Sequence, residues 1–119
     1  MKKLANINDV PNKGSKLVFL DETPIALFKI NGKIHAWDNR CPHRGASLSD
    51  GYISDTTIQC KYHLWEFDIE KKCAVENTKI KINTFRIKII NEDIYLIWTK
   101  NIKEQSVLAF IDGIGNFIL

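Results

Sequence analysis

A chain of 119 residues that is 45% hydrophobic and 26% charged has the make-up of one ordinary globular domain, which excludes a disordered polymer and a chain too short to build a core without staples. A net charge of +3 with lysines scattered along the chain, and no run of five or more basic residues, excludes a nucleic-acid surface. No stretch approaches the roughly 20 apolar residues of a membrane span, and Asn6, Asn8 and Asp9 interrupt any apolar region after the Lys2-Lys3 start that resembles a signal peptide, so a cytoplasmic protein is expected.

Short β-like runs separated by turn residues dominate the chain. The first strand is expected over residues 16–20. Runs at 25–30 and 33–37 flank Asn31-Gly32, a dipeptide suited to a hairpin turn in which both central residues need φ > 0. A loop over 38–51, holding Pro42, Gly45 and Gly51, precedes a strand at 56–60, a short loop and a strand at 65–69. Residues 84–90 alternate, with Phe85, Ile87 and Ile89 on one face and Thr84, Arg86 and Lys88 on the other. Asn91-Glu92-Asp93 turns the chain, and 94–99 returns. The pattern predicts an all-β, antiparallel domain over residues 1–103. Residues 104–119 form an apolar extension, packed on the domain or partner-binding, whose secondary structure the pattern leaves open.

Two segments carry chemistry: Cys41-Pro42-His43-Arg44-Gly45-Ala46 and Cys60-Lys61-Tyr62-His63-Leu64-Trp65. Each pairs a thiolate donor with an imidazole, at C-x-H and C-x-x-H spacing, in a loop at the end of a strand. With Cys73, the cysteine count is odd, which argues for metal ligation or isolated thiols over a disulfide framework. A Cys₂His₂ set suits tetrahedral zinc or a [2Fe–2S] centre in which two histidines replace two cysteines on one iron. Ligand type does not choose between them. The order Cys, His, Cys, His does more, because zinc fingers generally gather both cysteines in one half, whereas here each loop supplies one of each.

These segments, extended to Asn39 and Leu48 on one side and to Glu66-Phe67-Asp68 on the other, resemble the two cluster-binding loops of Rieske proteins, most closely Rieske ferredoxins and the Rieske domains of ring-hydroxylating oxygenases. The resemblance covers roughly residues 5–98. It implies the Rieske fold, a small cluster-binding β subdomain on a larger antiparallel β base, with Cys41 and Cys60 on the inner iron and His43 and His63 on the outer, exposed one. Two positions depart from the family's pattern: Lys71-Lys72 stand where a Thr-Gly turn is common, and Leu64 where glycine is usual.

High-potential Rieske proteins resemble one another in a Ser two residues and a Tyr four residues after the last histidine, whose hydroxyls donate to a bridging sulfide and a cysteine sulfur. The matching residues here are Trp65 and Phe67, so a potential at the low end of the Rieske range, about −150 mV, is expected. The second cysteine pair of that group is also missing. His35 reads as a strand-surface histidine, Cys73 as a small apolar residue or free thiol, and Trp37 and Trp98 as core aromatics. Trp65 is expected to pack beneath the cluster, and Arg44 either steers an acidic partner or is solvated.

A ring-hydroxylating oxygenase needs a second iron held by two histidines and a carboxylate. Three histidines in all leave His35 alone for it, so no catalytic residues are expected. The resemblance implies a one-electron carrier, a ferredoxin passing electrons from a flavin-dependent reductase to an oxygenase or other redox enzyme. The alternatives are a small Rieske subunit docked on the large subunit of a reductase such as nitrite reductase, and a zinc-stabilised interaction module.

Overall fold

The computed structural model describes residues 1–42, 45–61 and 65–97. These form ten strands in three antiparallel sheets, with no α-helix among the described residues. The first sheet joins β1 (Lys2–Asn6), β10 (Asp93–Leu96) and β9 (Ile87–Ile90), with β10 in the middle. The second runs β2 (Gly14–Leu20), β3 (Thr23–Ile30), β4 (Lys33–Asp38). The third, smaller sheet holds β5 (Tyr52–Ile53), β6 (Thr57–Gln59), β7 (Glu66–Asp68) and β8 (Cys73–Ala74) in that order.

Turn chemistry sets the two tight hairpins. Asn31 and Gly32 take φ of 53° and 77°, and Ile30 lies opposite Lys33, which is the expected two-residue turn. At the second hairpin only Asn91 and Glu92 turn, with φ of 49° and 71°. Asp93, expected in the turn, opens β10 opposite Ile90. Strand β1 was not expected, because Lys-Lys-Leu-Ala-Asn has no clear period; it exists by pairing with β10 at the far end of the chain. There Asn6 donates to the Asp93 carboxylate at 3.1 Å, and this bond, with Lys3 at 3.3 Å, lowers the Asp93 pKa.

The alternation over 84–90 is only partly realised. Thr84 bridges Trp37, and Phe85 donates its N–H to Ala36 on β4, whereas 87–90 pair with β10. The chain changes sheets between them, so the inward face at Phe85 is not carried through, and Ile89 is 44% exposed.

Two apolar clusters hold the layers together, and β3 serves both. Ile25 and Leu27 point into the base, with Val10, Ala36, Phe85, Ile94 and Leu96. The alternate residues Ala26, Phe28 and Ile30 face the small sheet, with Trp37, Leu48, Ile58, Phe67 and Ile69. Trp37 is fully buried edge-on to Phe28, with ring centroids 5.6 Å apart, the core role expected of it. Trp98 and the extension over 104–119 lie outside the described residues.

The turn at Lys71-Lys72 is formed despite the missing glycine. The Asp68 carboxylate accepts the N–H groups of Glu70 and Lys71, at 2.9 and 2.8 Å, and its carbonyl accepts that of Lys72. Lys72 itself is left-handed, with φ of 60°. An L side chain there costs roughly 1 kcal/mol that glycine avoids. Lys72→Gly is therefore expected to stabilise the domain by about 0.5–1 kcal/mol in urea unfolding, with an unchanged denaturant slope.

His35 lies on a strand, as expected, but is only partly exposed. It is half-buried on β4, in a cleft it shares with Lys33, Glu70 and Lys72. Burial, reinforced by Lys33 and Lys72 and opposed by Glu70, holds its pKa below the ordinary 6.5. A histidine that protonates more readily in the unfolded chain costs stability as pH falls below 6.5, until the folded form also protonates. Thermal midpoints are expected to drop between pH 7.5 and 5.5, and less steeply in His35→Gln.

Candidate metal centre

The two motif loops are built alike. At the first, Arg40 bridges Ser47, Cys41 follows, and its N–H donates to the Ala46 carbonyl at 2.8 Å. At the second, Gln59 pairs with Glu66, Cys60 follows, and its N–H donates to the Trp65 carbonyl at 2.8 Å. In each, the cysteine sits one residue beyond a ladder pair and closes onto the carbonyl five residues later. Gly45, with φ of 75°, completes the first loop by donating to the Cys41 carbonyl at 2.6 Å. The C-x-H and C-x-x-H spacings thus fall within loops of equal length.

Both cysteines of the two motifs lie in one buried apolar cluster. Cys41 and Cys60 are 2% and 0% exposed, form no disulfide, and belong to one apolar cluster with Leu48, Ile58 and Phe67. Trp65 packs on the edge of that cluster, its ring centroid 6.5 Å from that of Phe67. His43, Arg44 and Leu64 lie outside the described residues, as does His63. Among the described residues, no group of three or more His, Cys, Asp or Glu side chains is placed to hold a metal. Cys73 is buried and free on β8, the space-filling thiol expected.

The positioning roles of Asn39 and Asp38 were not read from the sequence. Asn39, 5% exposed, ties both legs of the first loop together. Its Nδ2 donates to Ser47 Oγ at 2.6 Å, its Oδ1 accepts the Ser49 N–H at 2.7 Å, and its carbonyl accepts the Leu48 N–H. Asp38, 3% exposed, accepts the backbone N–H, Nε and Nη2 of Arg40 at 3.0, 2.8 and 2.6 Å. The spacing Asp38-x-Arg40 is that of an Asx turn, the one local signal that could have found it. A further constraint comes from Gly51, where a Cβ would collide with the carbonyl oxygen of Gln59, the residue before Cys60.

The Asp38–Arg40 pair is planar and two-pronged, and the carboxylate is almost wholly withdrawn from water. Arg40→Ala leaves that carboxylate buried with one backbone donor. Because Arg40 is itself 30% exposed, the cost is expected at the low end for a broken buried pair, about 2–3 kcal/mol, with Arg40→Lys recovering part of it. Urea unfolding of the three proteins measures this.

The geometry meets its relatives at this point. Residues 1–86 match the Rieske [2Fe-2S] domain. The chain belongs to that family. Its cofactor is therefore a Rieske-type [2Fe–2S] cluster. The chain is 34% identical over 94 residues to the ferredoxin component of the naphthalene 1,2-dioxygenase/salicylate 5-hydroxylase systems of a Ralstonia species, covering 77% of this chain and 89% of that one. It is 40% identical over 59 residues to the oxygenase subunit of 3-chlorobenzoate-3,4-dioxygenase from Comamonas testosteroni, a match to half of this chain and 14% of that much longer one. Among solved structures, the Sphingomonas yanoikuyae B1 ferredoxin aligns with a TM-score of 0.74 at 26% identity, over 82% of this chain and 97% of that one. The Rieske fold, with its base and small cluster-binding sheet, is thus confirmed.

The residues present fit such a group. Two soft sulfur donors, buried and unoxidised, stand in matched loops on a rigid β frame, the donor type iron–sulfur clusters require. No helix among the described residues is long and apolar enough to cross a membrane.

Proposed function

We propose that the chain is a Rieske-type ferredoxin, taking single electrons from a flavin-dependent reductase and delivering them to an oxygenase, and that Cys41, His43, Cys60 and His63 hold its cluster. The observation that carries this is the pair of equal loops placing Cys41 and Cys60 in one apolar cluster, in a chain that spans most of a ferredoxin component's length. When bound, the cluster supplies reversible one-electron transfer.

The chain's own residues do the rest. Leu48, Ile58 and Phe67 exclude water from the two sulfurs and lower the local dielectric, which raises the weight of every nearby charge and hydrogen bond. Asn39 and the Asp38–Arg40 pair fix the first loop, and Gly51 lets its return leg approach the second. His43 and His63, as ligands, keep a second ring nitrogen free to donate toward a partner. No residue is assigned a catalytic step. His35, the third histidine, faces Lys33, Glu70 and Lys72 in its own cleft and has no second histidine with which to build a mononuclear iron site. Cys41, Cys60 and Cys73 form no disulfide, which supports a reducing, cytoplasmic setting.

The test is anaerobic purification followed by redox titration. Roughly two irons per chain, visible bands that bleach on reduction, a mixed-valence electron-spin signal and a midpoint near −150 mV are expected. The reduced protein should also restore turnover in a reductase–oxygenase pair deprived of its ferredoxin. Zinc in place of iron, or a reduced sample without the spin signal, would overturn the reading.

A further inference from the structure

One short segment is anchored at the entry to both cysteine loops. Ser47 bridges Arg40, the residue before Cys41. Tyr52 pairs with Gln59, the residue before Cys60. Between these anchors the chain makes a single 3₁₀ turn, Leu48–Asp50, closed by the Gly51 N–H donating to the Leu48 carbonyl at 3.0 Å. The first anchor is reinforced by Asn39, whose side chain holds Ser47 Oγ and the Ser49 N–H and whose carbonyl accepts the Leu48 N–H. Leu48 is fully buried, and Ser15 on β2 donates to the Ser49 carbonyl at 2.7 Å. The turn is thus fixed to the core and to the base as well as to the two loops.

Gly51 marks the point where this segment meets the second loop. Continuing the β5–β6 register by one step puts it opposite Cys60. Its φ of −80° and ψ of −176° are open to any residue, so the backbone conformation does not call for glycine. Space does. A Cβ would collide with the Gln59 carbonyl oxygen and stand 3.2 Å from that of Leu48, and neither atom is the end of a flexible side chain. An added methyl therefore forces the segment and β6 apart by about 1 Å, whereas ligands of a metal site work within about 0.5 Å of their proper places. We propose that residues 47–52 are a spacer that sets the separation of the two cysteine ligands, with Gly51 as its positioning residue. This rests on the assignment of Cys41 and Cys60 to the cluster. Sulfur donors moved apart hold metal less tightly and change its electronic surroundings, so both the retention of iron and the spectrum of the reduced protein depend on residue 51.

The test compares the native holoprotein with full chains carrying Gly51→Ala or Gly32→Ala. Gly32 is the control, because its φ of +77° makes alanine costly while nothing among the described residues lies within 4 Å of an added Cβ. Both variants are expected to lose stability in urea. Only Gly51→Ala is expected to release iron to a ferrous chelator about 10–100-fold faster, and to move the electron-spin signal and the midpoint away from those of the native protein. Asn39→Ala, which cuts the other anchor, is expected to shift the same signal, and it replaces Gly51→Ala in the comparison if that variant yields no folded holoprotein. A destabilised variant with native iron release and a native spin signal would overturn the proposal, leaving the segment a part of the fold alone. Equal changes in Gly32→Ala would also overturn it, since general loosening then explains them. A native chain without the spin signal would overturn the cluster assignment itself, and the spacer with it.

Discussion

Cys60→Ala is expected to yield a colourless protein with essentially no bound iron, whereas Cys73→Ala keeps its full iron content. All three thiols are buried and none is in a disulfide, so burial alone does not distinguish them. Position does. Cys60 sits one residue past the Gln59–Glu66 pair, in a loop closed by its own N–H, and shares an apolar cluster with Cys41. Cys73 lies within a strand, opposite Asp68, and fills space. Losing one sulfur from a four-ligand site removes the covalent anchor that the remaining donors cannot replace, since metal binding and local folding are one equilibrium. Losing the Cys73 sulfur leaves a small cavity, for which a cost of about 1 kcal/mol is expected. Elemental analysis and the visible spectrum report the first effect, and urea unfolding the second. If both variants keep their iron, Cys60 is not a ligand.

Much of this site was legible because its signals are local. Cysteine and histidine at C-x-H and C-x-x-H spacing need no structure to be noticed, and Asn31-Gly32 specifies its turn through the φ values its two residues tolerate. What escaped was set by partners distant in sequence. Strand β1 has no period of its own and is defined by β10, some 90 residues away. His35 is half-buried in a cleft that Ile69, Glu70, Lys72 and Phe85 also line, and no window around residue 35 contains them. Ile89 fits an alternating strand and is nonetheless exposed, because the chain switches sheets between Phe85 and Ile87. Asn39 and Asp38 carry no local signal of being buried. Their side chains find hydrogen-bond partners in Ser47, Ser49 and Arg40, a condition that is visible only once the loop has closed. The turn at Lys72 shows the opposite case, in which the family's usual glycine is missing and Asp68 nonetheless holds the turn in place.

Phe67→Tyr is expected to raise the midpoint potential by about 60 mV. Phe67 is fully buried on β7, in the same cluster as both cysteines, and its ring lies against Trp65. Neither aromatic side chain has a hydroxyl, so neither supplies the O–H donors that the high-potential proteins direct at the cluster and its thiolates. Adding one electron makes the sulfur ligands more negative, and a donor aimed at them stabilises the reduced state more than the oxidised. A hydrogen bond to a charged acceptor contributes about 1.5 kcal/mol. If most of that difference falls on the reduced state, it converts to about 60 mV for a one-electron couple. Phe67→Leu is the control, since it changes the packing without adding a donor. A rise with tyrosine and none with leucine assigns the effect to the hydroxyl. An equal shift in both would trace it to solvent entering a loosened cluster. A third outcome, unchanged potential with about 1–3 kcal/mol of lost stability, would mean that the buried hydroxyl found no partner. In that case Phe67 faces away from the cluster, and the low potential expected for the native chain must come from Trp65 or from exposure.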